Sequence, residues 1–166
     1  MHDVTANGAS IPALGFGTFR MSEAEVAEVL PQALKLGFRH VDTAQVYGNE
    51  AAVGAAIRAS GVPRDEIFLT TKVWVSEFAP EKFLPSVEES LTKLGVDNVD
   101  LLLLHWPHGN DTLREVQIEE LNKTVAKGMA KHIGISNYNV AEMHEAARLS
   151  AAPLVTNQVE YHPYLS

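Results

Sequence analysis

Four side chains of the kinds that move protons stand far apart in this 166-residue chain: Asp42, Tyr47, Lys72 and His105. Each has an ordinary reading by itself. Asp42 could cap a turn, Tyr47 could pack its ring, and His105 could be a core histidine bonded to a carbonyl. Lys72 resists such a reading, because a lysine ending the apolar run "IFLTTKVW" is costly to bury unless it is paired. Brought together, the four would do more. A carboxylate beside the ammonium forms a charge pair, and a cation beside a phenol favours the phenolate, so Tyr47 becomes a proton donor usable near neutral pH. His105 could donate a hydrogen bond to a carbonyl oxygen and stabilise the alkoxide developing there. A proton donor with oxyanion stabilisers, and no nucleophile, suits reduction of a carbonyl by an external hydride, which a cofactor must bring. Ser136, Asn137 and Gln158 add hydroxyl and amide groups suited to a nicotinamide carboxamide.

Such chemistry requires the residues to share one mouth. Asp42, Lys72, His105, Asn137 and Gln158 stand in or at the end of the apolar runs "FRHVDTA", "IFLTTKVW", "VDLLLLHWP", "AKHIGISN" and "PLVTNQVEYHP". Between these runs lie the helical patterns "NEAAVGAAIRASG", "PEKFLPSVEESLTKLG" and "TLREVQIEELNKTVAKG", each closing on a glycine, and then "NVAEMHEAARLS". Strands alternating with helices make a parallel sheet covered on both faces, where four successive leucines need no alternation. No G-x-G-x-x-G turn favours an open dinucleotide-binding sheet. Polar residues at the C-terminal ends of several strands are what a closed barrel uses to assemble a site.

The expected fold is therefore α/β, part of a TIM (β/α)8 barrel. It comprises an N-terminal hairpin turning at Asn7-Gly8 and about five βα units, in a single domain spanning 1–166. The leucine run is then the third strand, and the run reaching Gln158 the fifth. A full barrel takes about 250 residues, so the chain is expected to be truncated, with its first strand and the strand near 153–161 left as edges. The helix in "MSEAEVAEVLPQALKLG" has a capping box at Ser22 and Glu25 and a stop at Gly37. Pro31 is expected to kink or split it.

Composition narrows the function. Hydrophobic residues make up 46% and charged residues 20% of the chain, as in globular proteins. The net charge of −8, with lysines and arginines scattered singly, disfavours nucleic acid and anionic membranes as partners. Cysteine is absent, which removes thiol nucleophiles and zinc thiolates. No metal site such as H-E-x-x-H occurs, and a cytoplasmic setting is the default expectation.

The segments "GFGTFR", "HVDTAQVYGNE", "LTTKVW", "DLLLLHWP", "HIGISNYN" and "NQVEYHPYL" resemble, in order and spacing, the successive signatures of the aldo-keto reductases, most of all their bacterial 2,5-diketo-D-gluconate reductase branch. The resemblance implies NADPH-dependent reduction of aldehydes or ketones, with 2,5-diketo-D-gluconate as a candidate substrate. It casts Asp42, Tyr47, Lys72 and His105 as a catalytic tetrad with Tyr47 as the acid. It places Gly17, Thr18, Asp42, Ser136, Asn137 and Gln158 against the nicotinamide end of the cofactor, and Phe19, Trp74 and Trp106 in the substrate pocket. The family's later segments, which stack on the nicotinamide and hold the adenosine 2′-phosphate, have no counterpart here. The alternative is a catalytically silent fragment or binding subunit that needs another chain to complete the barrel. The full-length parent is expected to be a monomer, and the fragment to self-associate through open edges.

Overall fold

The computed structural model describes residues 2–165. Strands β1 (Asp3–Ala6) and β2 (Ala9–Pro12) form the antiparallel hairpin, and Asn7 and Gly8 turn it with positive φ, as a two-residue loop requires. A parallel sheet follows, in the order β3 (Gly15–Gly17), β4 (His40–Asp42), β5 (Phe68–Val73), β6 (Val99–Leu104), β7 (Ala130–Ser136) and β8 (Leu154–Gln158). Helices α1 (Glu23–Lys35), α2 (Glu50–Ser60), α3 (Pro80–Leu94), α4 (Arg114–Ala126) and α5 (Val140–Leu149) connect successive strands. Neighbours in sequence are neighbours in the sheet, the arrangement of a barrel in progress. No described helix is long and apolar enough to cross a membrane.

The sheet has six strands where five were expected. Gly15–Gly17, read as part of the hairpin segment, pairs parallel to β4 with Gly17 opposite Asp42. Three residues, two of them glycine, give no periodic signal, and only the neighbouring strand makes them a strand. The leucine run is accordingly the fourth strand. Pro31 does not split α1, which is one helix with both arms of the Ser22–Glu25 capping box formed. Leu30 and Leu34, fully buried on either side of the proline, hold the helix to the core.

Strand alternation sorts the leucines. Leu102 and Leu104 point outward into the core under the helices, with Val41, Leu69, Val73, Ile133 and Ile135. Leu101 and Leu103 point inward with Phe68 and Val155, and Ala9 and Ile11 of the hairpin close this inner cluster from below. Each fully buried leucine contributes about 1.5–3 kcal/mol. At the opposite end the same inward row becomes polar, with Lys72 following Phe68 and Thr70 on β5, and His105 following Leu101 and Leu103 on β6. On β5 and β6 apolar floor and polar mouth are thus one alternation read along the strand, whereas on β4 the inward row is polar at both ends, with His40, below Asp42, bonded to Thr70.

Candidate active site

Asp42, Lys72, His105, Ser136 and Gln158 arrive at the mouth as last inward-facing residues of adjacent strands. Tyr47 comes from the turn after β4, a single 3-10 turn at Gln45–Tyr47 closed by Gly48 in the left-handed region. Lys72 is 1% exposed, and its ammonium donates to Asp42 Oδ1 at 2.6 Å, to Thr43 O at 3.0 Å and to Tyr47 Oη at 3.2 Å. All three of its hydrogens are used, which is the condition for keeping an ammonium buried. Asp42 Oδ2 accepts from Gln158 Nε2 at 2.8 Å, tying the second strand of the sheet to the last.

His105 is buried against the rings of Tyr47 and Trp74, with centroids 5.7 and 5.2 Å away. Burial, and then the Lys72 cation, lower its pKa to about 4 against a weaker opposing pull from Asp42. The ring is therefore neutral at neutral pH. Its Nδ1 is buried without a partner, so the proton belongs on Nε2, because an orphaned acceptor costs less than an orphaned N–H.

These side chains open on a cleft of about 880 Å³ lined by Phe19, Tyr47, Trp74, His105, Trp106, Ser136, Asn137 and Gln158 among others. Asn137 Nδ2 donates to His105 O and to Ser136 Oγ, and Ser136 Oγ donates to Gln158 O. Asn137 Oδ1 and Gln158 Oε1 accept no bond from the described residues, so both can receive an N–H from a ligand. Gly17 is exposed at the end of β3. Thr18 is fully buried, and its hydroxyl contacts Asp42 O and Asn49 rather than the cleft. Its neighbours Phe19 and Arg20 line the cleft instead, with Arg20 at φ +62°.

Sequence reasoning missed Arg20, Val46, Gln45 and Asn49. The first two line the cleft, and the last two hold the tyrosine turn from either side. Gln45 and Asn49 lie two residues before and after Tyr47, inside a segment already singled out, but an amide declares its role only through its partners.

A second hollow of about 740 Å³ lies at the opposite end of the sheet, lined by Arg58 and Arg64 among others. Both cations are already engaged there. Arg58 donates to Leu94 O, and Arg64 to Ile67 O, Asn98 O and Asp100. The strand-end cleft is the one of the two into which the buried Lys72, Asp42, Tyr47 and His105 cluster opens.

The Aldo/keto reductase family matches residues 13–166. The chain is 47% identical over 161 residues to Escherichia coli O157:H7 methylglyoxal reductase DkgB, covering 94% of this chain and 59% of that protein. A crystal structure named for 2,5-diketo-D-gluconic acid reductase B superposes with a TM-score of 0.98 at 65% identity, over all of this chain and 59% of its own. An aldo/keto reductase structure from Brucella melitensis gives a TM-score of 0.91 at 42% identity, over 97% and 63%. The chain thus spans about three-fifths of the length of these relatives. By the extent of these matches, the chain belongs to the aldo/keto reductase family.

Proposed function

We propose that this chain carries the catalytic face of a carbonyl reductase that turns aldehydes or ketones into alcohols, with NADPH as hydride source and Tyr47 as proton donor. The observation that carries the reading is the tyrosine hydroxyl held 3.2 Å from a fully buried ammonium beside a neutral histidine. The cleft fits a nicotinamide. Asn137 Oδ1 and Gln158 Oε1 would receive its carboxamide N–H, and exposed Gly17 leaves room for close approach. When bound, the reduced nicotinamide supplies the hydride.

The chain's own residues supply the rest. Lys72 donates to Tyr47 Oη, which leaves the phenolic proton free to point into the cleft. His105 Nε2–H and Tyr47 O–H would both donate to the substrate oxygen, fixing the carbonyl and stabilising charge as it develops. Tyr47 then gives up its proton to that oxygen, and its phenolate is held by the Lys72 ammonium, itself anchored by Asp42. Phe19, Trp74 and Trp106 give the pocket apolar wall surface against which a substrate can pack. Relatives named for methylglyoxal and 2,5-diketo-D-gluconic acid suggest small dicarbonyl compounds as substrates.

Loss of reduced-nicotinamide absorbance with methylglyoxal and with 2,5-diketo-D-gluconate tests the proposal. Tyr47→Phe should abolish turnover, since general acid catalysis is worth roughly 10²–10⁴-fold, and an undiminished rate would overturn it. A second reading is favoured by the sheet order, in which β3 and β8 pair on one side only. It holds the chain silent until other strands close the barrel. Activity in the 166-residue chain alone would exclude it.

A further inference from the structure

We propose that Gln45 and Asn49 are positioning residues that clamp the Tyr47 turn from both sides and so fix its hydroxyl against Lys72, a role that rests on the reading of Tyr47 as the acid. The turn cannot hold itself. Its own backbone bonds are two, Tyr47 N to Ala44 O at 3.1 Å and Gly48 N to Gln45 O at 3.3 Å, and so short a 3-10 segment has little intrinsic stability.

Asn49 grips the side facing β3. It is 1% exposed. Its Nδ2 donates to Thr18 O and Met21 O, both at 3.0 Å, and its Oδ1 accepts from Thr43 Oγ1 at 2.9 Å with Thr18 Oγ1 at 3.4 Å. An asparagine amide has four hydrogen-bonding positions: three are filled, and the fourth shares the Thr18 hydroxyl hydrogen with Asp42 O. Two of those partners belong to structures that touch the reaction site directly. Thr43 O accepts from the Lys72 ammonium, and Thr18 precedes Phe19, whose ring lies 5.1 Å from that of Tyr47.

Gln45 grips the other side. Its Nε2 shares two hydrogens among Ser86 O, Ser86 Oγ and Ser90 Oγ on α3, and its Oε1 accepts from the Trp74 backbone N–H at 2.8 Å. One side chain thereby fastens the tyrosine turn to α3 and to the loop that carries a pocket wall. The two amides stand at i−2 and i+2 of Tyr47 and pull toward different neighbours, so the turn is held on both flanks. Displacements near 1 Å at a reacting group can cost about 10²-fold in rate, which makes this bracing part of the chemistry rather than of the fold alone.

The test needs no turnover, so its failure is distinct from failure of the proposed activity. In the 166-residue chain labelled with ring-¹³C tyrosine, the Tyr47 signal is identified by its loss in Tyr47→Phe. The rings of Phe19 and His105, with centroids 5.1 and 5.7 Å from that of Tyr47, should set this signal apart from those of exposed tyrosines. In Gln45→Ala and in Asn49→Ala that signal should move toward those of exposed Tyr161 and Tyr164, while the signal of Tyr138, buried elsewhere, stays in place. Asn49→Asp should behave like Asn49→Ala, because a carboxylate keeps the acceptors and loses both donors. Should Asn49→Ala unfold, Gln45→Ala decides alone. An unmoved Tyr47 signal in a folded Gln45→Ala chain overturns the proposal, as does a shift of Tyr47 and Tyr138 together.

Discussion

The Lys72 ammonium lies 2.6 Å from Asp42 Oδ1, with the lysine side chain 1% and the aspartate side chain 16% exposed. The pair is asymmetric. Lysine depends wholly on its three acceptors, while aspartate keeps Gln158 and some solvent. Removing the cation in Lys72→Met should therefore destabilise the fold toward the lower end of the roughly 3–5 kcal/mol seen when one partner of a buried pair is deleted. Urea unfolding of the two chains measures this, and an unchanged midpoint would refute it. Asp42→Asn should cost more, because it strands the charge that has no access to water.

Acidification should destabilise the protein through His105. Its folded pKa is lowered to about 4, below the unfolded value near 6.5. Between those values the unfolded chain binds more protons, so the neutral ring's contribution is complete above about pH 6.5 and lost on descending to about pH 4. The amount is on the order of 3 kcal/mol. Burial lowers the pKa of His40 as well, in the same direction. Thermal unfolding between pH 7 and pH 4.5 should show a shallower loss in His105→Asn than in the unaltered chain. Parallel curves would remove the histidine from this account.

Packing of α2 on α3 gives a sharper structural prediction. A Cβ on Gly54 would sit 2.6 Å from the backbone carbonyl carbon of Leu94, and that carbonyl cannot move without shifting α3. Gly54→Ala gains helix propensity but should still destabilise by about 1–3 kcal/mol, the usual cost of overpacking. Gly17→Ala is the control, since a Cβ there meets nothing within 4 Å and the backbone is not left-handed. Chemical unfolding in which Gly54→Ala matches Gly17→Ala would contradict the close approach.

Much of this arrangement was legible because parallel strands bring their C-terminal ends to one place, so a polar residue ending each apolar run marks a shared mouth. Lys72 and His105 were conspicuous for that reason: nothing in an apolar strand explains them. The strand Gly15–Gly17 was hidden, since its identity comes from pairing with His40–Asp42 and not from any pattern of its own. The burial of Thr18 was hidden too, because the residue after a strand can turn either way, and here Asn49, 31 positions on, turns it inward. Gln45 has the same character, with partners 41 and 45 positions away. Local pattern reveals what an element is; which amide holds which loop is set by contacts across the fold.

The sheet's last strand carries the final prediction. β8 pairs with β7 along one side, which leaves its other row of N–H and C=O groups as a template for another strand. The hairpin guards part of that edge, since Asn7 Nδ2 donates to Leu154 O at 2.7 Å. Protection therefore falls at the N-terminal end of β8, and the stretch from Thr156 to Val159 stays open beside exposed Val159 and Tyr161. The 166-residue chain should self-associate through this stretch, with sedimentation rising with concentration. Val159→Lys places a charge where an edge strand is conventionally blunted, 4 positions beyond the interior residue Val155 and outside the inner cluster. It should weaken association without lowering the unfolding midpoint. A chain that sediments as a monomer at every concentration would mean that the edge is shielded in solution, and the second functional reading would lose its support.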